Sequence, residues 1–163
     1  MKKVAVGLLA VFVAVLTIQP VQAEDIKTLA IIDTAVDSKK IPAVIAEACF
    51  TSSLSMACPN KSLFMEGTGA ANSPMWPTLI TNNTYHGYNV VQSALAVNKN
   101  INIVFVRIAD ITSAGNSVNT PESLIKAIDW VSKNAAKYSI DAVSISQSSI
   151  STNNLAKCTT DTT

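Results

Sequence analysis

The segment at residues 101–108, INIVFVRI, constrains the fold of this chain more than any other part of its sequence. It is dense in β-branched residues, which favours a β-strand, and it does not alternate with polar residues as a half-exposed strand would. Strands of this kind are buried on both faces, as in parallel sheets that helices cover on both sides. The rest of the chain must therefore supply helices for two faces of a sheet.

The flanking segments predict those helices and two more strands. Residues 27–33 form an apolar run that ends in Asp33, and residues 142–146, AVSIS, predict a third strand. Helical spacing of apolar residues predicts a helix over residues 87–97, and Thr-Pro at residues 120–121 predicts the start of another. This alternation without tight hairpins predicts an α/β fold, a parallel sheet with helices on both faces.

The second helix should bury one apolar stripe, consisting of Leu124, Ile128, Val131 and Ala135. Residues 38–85 are rich in polar residues, proline and glycine, so they predict a long loop with one helical turn over residues 42–48. A disulfide between Cys49 and Cys58 would staple this loop. Cys158 is then left over, as a free thiol, an intermolecular cysteine or one whose partner is missing.

The N-terminus predicts export. Lys2 and Lys3 precede an uncharged apolar stretch, and Val-Gln-Ala at residues 21–23 is a small-residue cleavage site, so residues 1–23 predict a signal peptide. The stretch is too short for a membrane anchor, and no second run is long enough to span a bilayer. We expect a secreted or periplasmic protein with no membrane association after cleavage.

Removal of the signal also changes the charge of the chain. Losing Lys2 and Lys3 changes the formal net charge from +1 to −1. No basic patch remains that would favour binding to nucleic acid. The remaining residues, 24–163, are enough for one domain.

Asp33 and His86 are the candidate functional pair. Asp33 follows a buried strand, and His86, the only histidine, begins a predicted helix. A carboxylate that accepts the Nδ1 proton of an imidazole fixes the tautomer and leaves Nε2 to act as a base toward a hydroxyl.

The surrounding sequence resembles the N-terminal part of the catalytic domain of subtilisin-like serine proteases (peptidase family S8). LAIIDTAVD resembles the strand that ends in Asp-Thr-Gly, and HGYNVVQSALA resembles the His-Gly-Thr-His-Val-Ala-Gly segment. INIVFVRIAD, SAGNS and LIKAIDWVSKNAAKYSIDAVSIS follow in the family's order of strand, substrate-flanking loop, helix and strand. The resemblance extends over residues 27–149, and residues 24–163 are interpreted as part of a peptidase domain.

The resemblance implies a serine endopeptidase in which Asp33 orients His86, the general base, and the substrate is a peptide or protein. The substrate would add as a strand between two segments. These are Ala114, Gly115 and Asn116 on one side, and Gln147, Ser148 and Ser149 on the other. The chain departs from the family motifs at four positions, namely Ala35, Tyr88, Asn89 and Gln92. Ala35 replaces a glycine, and Gln92 places an amide where close packing is expected.

The family's nucleophilic serine, in a Gly-Thr-Ser motif downstream, has no counterpart in these 163 residues. The oxyanion-hole asparagine is expected beyond residue 163 as well. We therefore expect a C-terminally truncated chain that is inactive alone. The alternative is a non-catalytic pseudoprotease or remnant that binds a peptide or a partner chain.

No cofactor is expected; calcium is possible, as in the family, but no site can be assigned. A second alternative is a metal site of an adhesion-type domain, in which Asp33, Asp37 and Ser38 would offer oxygen ligands.

Overall fold

A five-stranded sheet forms the centre of the computed structural model, which describes residues 25–54, 57–73, 86–111 and 117–146. Its strands are β1 (Lys27–Asp33), β2 (Val44–Phe50), β3 (Phe64–Glu66), β4 (Ile101–Arg107) and β7 (Ile140–Ile145). They lie in the order β3-β2-β4-β1-β7, and all neighbouring pairs are parallel except β2 with β3. The helices are α1 (His86–Val97) and α2 (Pro121–Tyr138), with a 3-10 turn at Ser38–Lys40 and a small hairpin of β5 (Asp110–Ile111) and β6 (Ser117–Val118).

The two helices cover opposite faces of the sheet. This is shown by the strand residues, which alternate between two separate buried clusters. Ile32 of β1 and Val106 of β4 pack with Trp130 of α2. Ile31 and Phe105, their neighbours in sequence, pack on the other face in a second cluster that includes Val91 of α1. The predicted α/β class with helices on both faces is confirmed, and the sheet is parallel as predicted except for the antiparallel pair of β2 and β3.

Strand β4 lies between β2 and β1, and its residues from Ile103 to Arg107 are all buried. β-branched side chains at these positions fill both cores, as the run in the sequence predicts. Asp33 and Arg107 are paired at the carboxyl ends of β1 and β4. The fold therefore places the carboxylate of Asp33 at the carboxyl ends of the parallel strands, beside the charged residue Arg107.

The prediction of a long loop over residues 38–85 is wrong at strand β2. Residues 42–48 were expected to form a helical turn, but Val44–Phe50 is a strand that pairs with both β4 and β3. Alanine and glutamate favour helix locally, yet Glu47 is accommodated in a buried strand position because its carboxylate accepts backbone N–H groups. Long-range pairing overrides the local preference here.

Helix α2 begins as predicted, and Leu124 and Val131 of its predicted stripe pack in or against the core, whereas Ile128 does not. The side chain of Thr120 accepts a hydrogen bond from the Ser123 amide, so Thr120 is the N-cap. The buried side chains include Ala127, Trp130 and Val131, whereas Ile128, expected in the core, is 44% exposed. Ile128 is displaced because Trp130 packs in the core and its indole donates to a carboxylate of β3.

Cys49 and Cys58 form the expected disulfide, with both residues buried. Cys158 and residues 1–23 lie outside the described residues. Within the described ranges, no helix has the length and apolar character needed to cross a bilayer.

Candidate active site: the Asp33–His86 pair

Asp33 holds its carboxylate at the end of β1, where it is completely buried. Its Oδ1 atom accepts a hydrogen bond from the Thr34 amide at 2.6 Å, and its backbone carbonyl accepts one from the Ile108 amide at 2.9 Å. A buried carboxylate requires such donors, because burial without hydrogen bonds is costly. The carboxylate is thereby fixed in one orientation by the strand end to which it belongs.

His86 is the first residue of α1, and its Nδ1 atom lies 2.8 Å from Oδ1 of Asp33. A hydrogen bond between this nitrogen and an ionised carboxylate requires the hydrogen to be on Nδ1, because the carboxylate can only accept. The side chain of His86 is 45% exposed, whereas that of Asp33 is 0% exposed. The pair therefore combines a buried acceptor with an imidazole that solvent can reach, and Nε2 is left to exchange protons with another molecule.

Gly87 brings the start of α1 unusually close to the segment that follows β1. A Cβ atom at this position would lie 2.5 Å from the carbonyl oxygen of Ala35 and 2.8 Å from the ring of Phe105. The Gly87 amide also donates to the side chain of Thr34 at 3.1 Å. The His-Gly pair in the sequence is thus a packing requirement as well as a motif, since only glycine lets His86 approach Asp33 along this path.

The departures from the family motifs leave this geometry intact. Ala35 is buried, and the contact to Gly87 is made by its backbone rather than its methyl group. Gln92 is exposed, so the expectation that its amide would disturb close packing is wrong. The helix presents this residue to solvent because Val91, its neighbour, occupies the core position.

Both substrate-binding segments, residues 114–116 and 147–149, lie outside the described residues. The alternative metal site is disfavoured by geometry, because Oδ1 of Asp33 is engaged by His86 and Asp37 forms an ion pair with Lys40 at 3.1 Å.

Two buried charged residues, Arg107 of β4 and Glu47 of β2, belong to no sequence motif that points to the site. Arg107 is 0% exposed and Glu47 is 6% exposed, although both side chains carry charge. A signal was present for Arg107, because a charged residue inside an apolar strand must find partners when the strand is buried. For Glu47 the signal was masked by the helix-forming residues around it.

No family model matches the chain, and no curated protein or solved structure is significantly similar to it.

Proposed function

We propose that this chain carries the Asp–His part of the catalytic relay of a secreted, subtilisin-like serine endopeptidase. The observation that carries the proposal is the 2.8 Å contact between Nδ1 of His86 and Oδ1 of Asp33, with the carboxylate buried and the imidazole half-exposed. The two residues belong to different sequence motifs that lie 53 positions apart. Their meeting at a strand end and a helix start supports the proposal, because functional groups of α/β folds gather at such sheet edges.

In this mechanism Asp33 orients the imidazole and His86 transfers the proton. Nε2 of His86 accepts the proton of a serine hydroxyl while the serine oxygen attacks the carbonyl carbon of the peptide bond. The imidazolium formed at that moment is stabilised by the adjacent carboxylate. It then donates its proton to the leaving amine as the C–N bond breaks, and a water molecule repeats the sequence to release the acid and restore the serine.

Under the proposal, these 163 residues do not supply the nucleophile of the relay. No Gly-Thr-Ser motif occurs in the sequence. Under the proposal, Ser146, Ser148 and Ser149 would bind the substrate backbone rather than act as nucleophiles. We therefore expect the chain alone not to hydrolyse peptides.

An active-site serine probe tests the proposal. A fluorophosphonate should leave this chain unlabelled and should label the product of any longer reading frame that contains it together with a Gly-Thr-Ser motif. Replacing His86 by Gln in the longer product should abolish labelling, while the matched exposed change Gln92→Ala should not. Labelling of the 163-residue chain, or labelling of the longer product that survives His86→Gln, would contradict the assignment.

A further inference from the structure

We infer that Glu47 and Arg107 are positioning residues for the Asp33–His86 pair and act through the loop at residues 67–73, named here the bracing loop. The inference rests on the proposed function, because it explains how the relay is held in place. It concerns two side chains that have no role in the mechanism above.

Glu47 holds the first half of the bracing loop. Its Oε2 atom accepts hydrogen bonds from the amides of Gly69 at 3.1 Å and Ala71 at 2.9 Å, and its backbone carbonyl accepts one from the Gly67 amide at 2.9 Å. Gly67 and Gly69 have φ angles of 98° and 89°, a left-handed conformation that suits glycine. The loop is therefore curled around a buried carboxylate, which its amides satisfy through charge-assisted hydrogen bonds.

Arg107 holds the second half of the same loop. Its guanidinium is completely buried and donates to the carbonyl of Asn72 at 3.0 Å, while Nε donates to the carbonyl of Ala109 at 3.1 Å. Arg107 is also the strand neighbour of Asp33. One side chain thus joins the bracing loop to the end of β4 at the strand edge where the catalytic carboxylate lies.

The bracing loop contacts the segment that follows β1 through Ala71. The carbonyl of Ala71 accepts a hydrogen bond from the Val36 amide at 3.1 Å, and both residues share a buried cluster with Val91 of α1. Residues 33–36 contain Asp33 and also contact the first turn of α1, to which His86 belongs. Through residues 33–36, the loop consequently supports the positions of both Asp33 and His86.

Burying the charged side chains of Glu47 and Arg107 costs free energy, so their use to hold a loop needs a physical reason. Apolar packing would avoid the cost of burying a carboxylate and a guanidinium. Hydrogen bonds, in contrast to apolar contacts, are directional, so they fix the orientation of the loop backbone. A pair that must keep a 2.8 Å hydrogen bond gains from this precision, because small displacements impair proton transfer.

The test uses Glu47 variants of this chain and reads the pair directly. Glu47→Gln keeps an oxygen acceptor, Glu47→Asp keeps the charge but withdraws it by one methylene, and Glu47→Ala removes the acceptor. The exposed change Glu122→Gln is the matched control. The readout is the proton NMR resonance of the His86 Nδ1–H group and its rate of exchange with water. Circular dichroism checks that each variant is folded.

We expect Glu122→Gln and Glu47→Gln to retain a slowly exchanging Nδ1 proton. Glu47→Asp and Glu47→Ala should raise its exchange rate by about tenfold or more, which is the scale of a lost hydrogen bond to a charged group. An unchanged rate in folded Glu47→Asp and Glu47→Ala would overturn the inference and leave the proposed function standing. Absence of the protected proton in the wild-type chain would instead overturn the proposed function.

Wild-type protein offers a second test that does not depend on the folding of a variant. If the bracing loop holds the pair, the amides of Gly69 and Ala71 and the Nδ1 proton of His86 should become exposed in the same opening event. Their exchange rates should then rise with the same dependence on added denaturant. Different denaturant dependences for the loop amides and the His86 proton would also overturn the inference.

Discussion

Replacing Gly87 by Ala should push helix α1 away from the end of β1. The new Cβ would lie 2.5 Å from the Ala35 carbonyl oxygen and 2.8 Å from the Phe105 ring. Ordinary contacts begin near 3.4 Å, so the helix start must move by about 0.6–0.9 Å or the buried ring must shift. Neither neighbour yields easily, because one is backbone and the other is completely buried.

The expected loss of stability follows from competing terms. Overpacking a well-packed site costs about 1–3 kcal/mol, and weakening the Gly87–Thr34 hydrogen bond adds about 1 kcal/mol. Alanine gains at most about 1 kcal/mol over glycine as a helix former. The net effect is a loss of about 1–3 kcal/mol, which corresponds to a fall in Tm of about 2–12 °C for a domain of this size.

Urea denaturation of Gly87→Ala and of Ser93→Ala measures this effect. Ser93 is an exposed residue of the same helix, so Ser93→Ala should change the free energy of unfolding by no more than about 0.5 kcal/mol. Gly87→Ala should also weaken the NMR signal of the Nδ1 proton of His86. A Gly87→Ala protein as stable as the wild type, with that proton unchanged, would refute the close-packing explanation.

Three further predictions concern the scaffold around the site. Thr120→Ala removes the N-cap of α2 and should cost about 1 kcal/mol, as measured by urea denaturation. Replacing Cys49 and Cys58 together by Ala should cost about 2–3 kcal/mol in the same assay, given a sequence separation of 9, and a loss near zero would contradict the stapling role. Asp141 has a pKa below its ordinary value of 3.8, chiefly because the Thr28 amide donates to its carboxylate. Its stabilising contribution is therefore present at neutral pH and lost as the pH falls below about 4, so Asp141→Asn should flatten the acid dependence of stability, measured by thermal unfolding across that range.

The sequence was most informative where local rules and tertiary structure agree. The run of β-branched residues in β4 predicts a buried strand, and the Thr-Pro pair at residues 120–121 predicts a helix start; the structure contains both. The approach of His86 to Asp33 was also predictable, because each residue belongs to a distinct motif at the end of an element. These signals are carried by a few neighbouring residues.

The sequence was misleading where distant partners determine the outcome. Nothing within residues 42–48 indicates that the carboxylate of Glu47 accepts hydrogen bonds from amides more than 20 positions away, so the local sequence predicts a helical turn where the structure has a strand. The burial of Trp130 depends on where α2 crosses the sheet and on the carboxylate of Glu66. Ile128 consequently lies outside the core although its spacing is correct for a helix face.

The tautomer of His86 tests the central claim most directly. Nitrogen-15 NMR of the wild-type chain, at a pH where the imidazole is neutral, distinguishes a proton on Nδ1 from one on Nε2. We predict that Nδ1 carries the proton and Nε2 does not, because Oδ1 of Asp33 accepts at 2.8 Å. An imidazole protonated mainly on Nε2, as in a histidine free in water, would contradict the assignment of Asp33 and His86 as a proton-transfer pair.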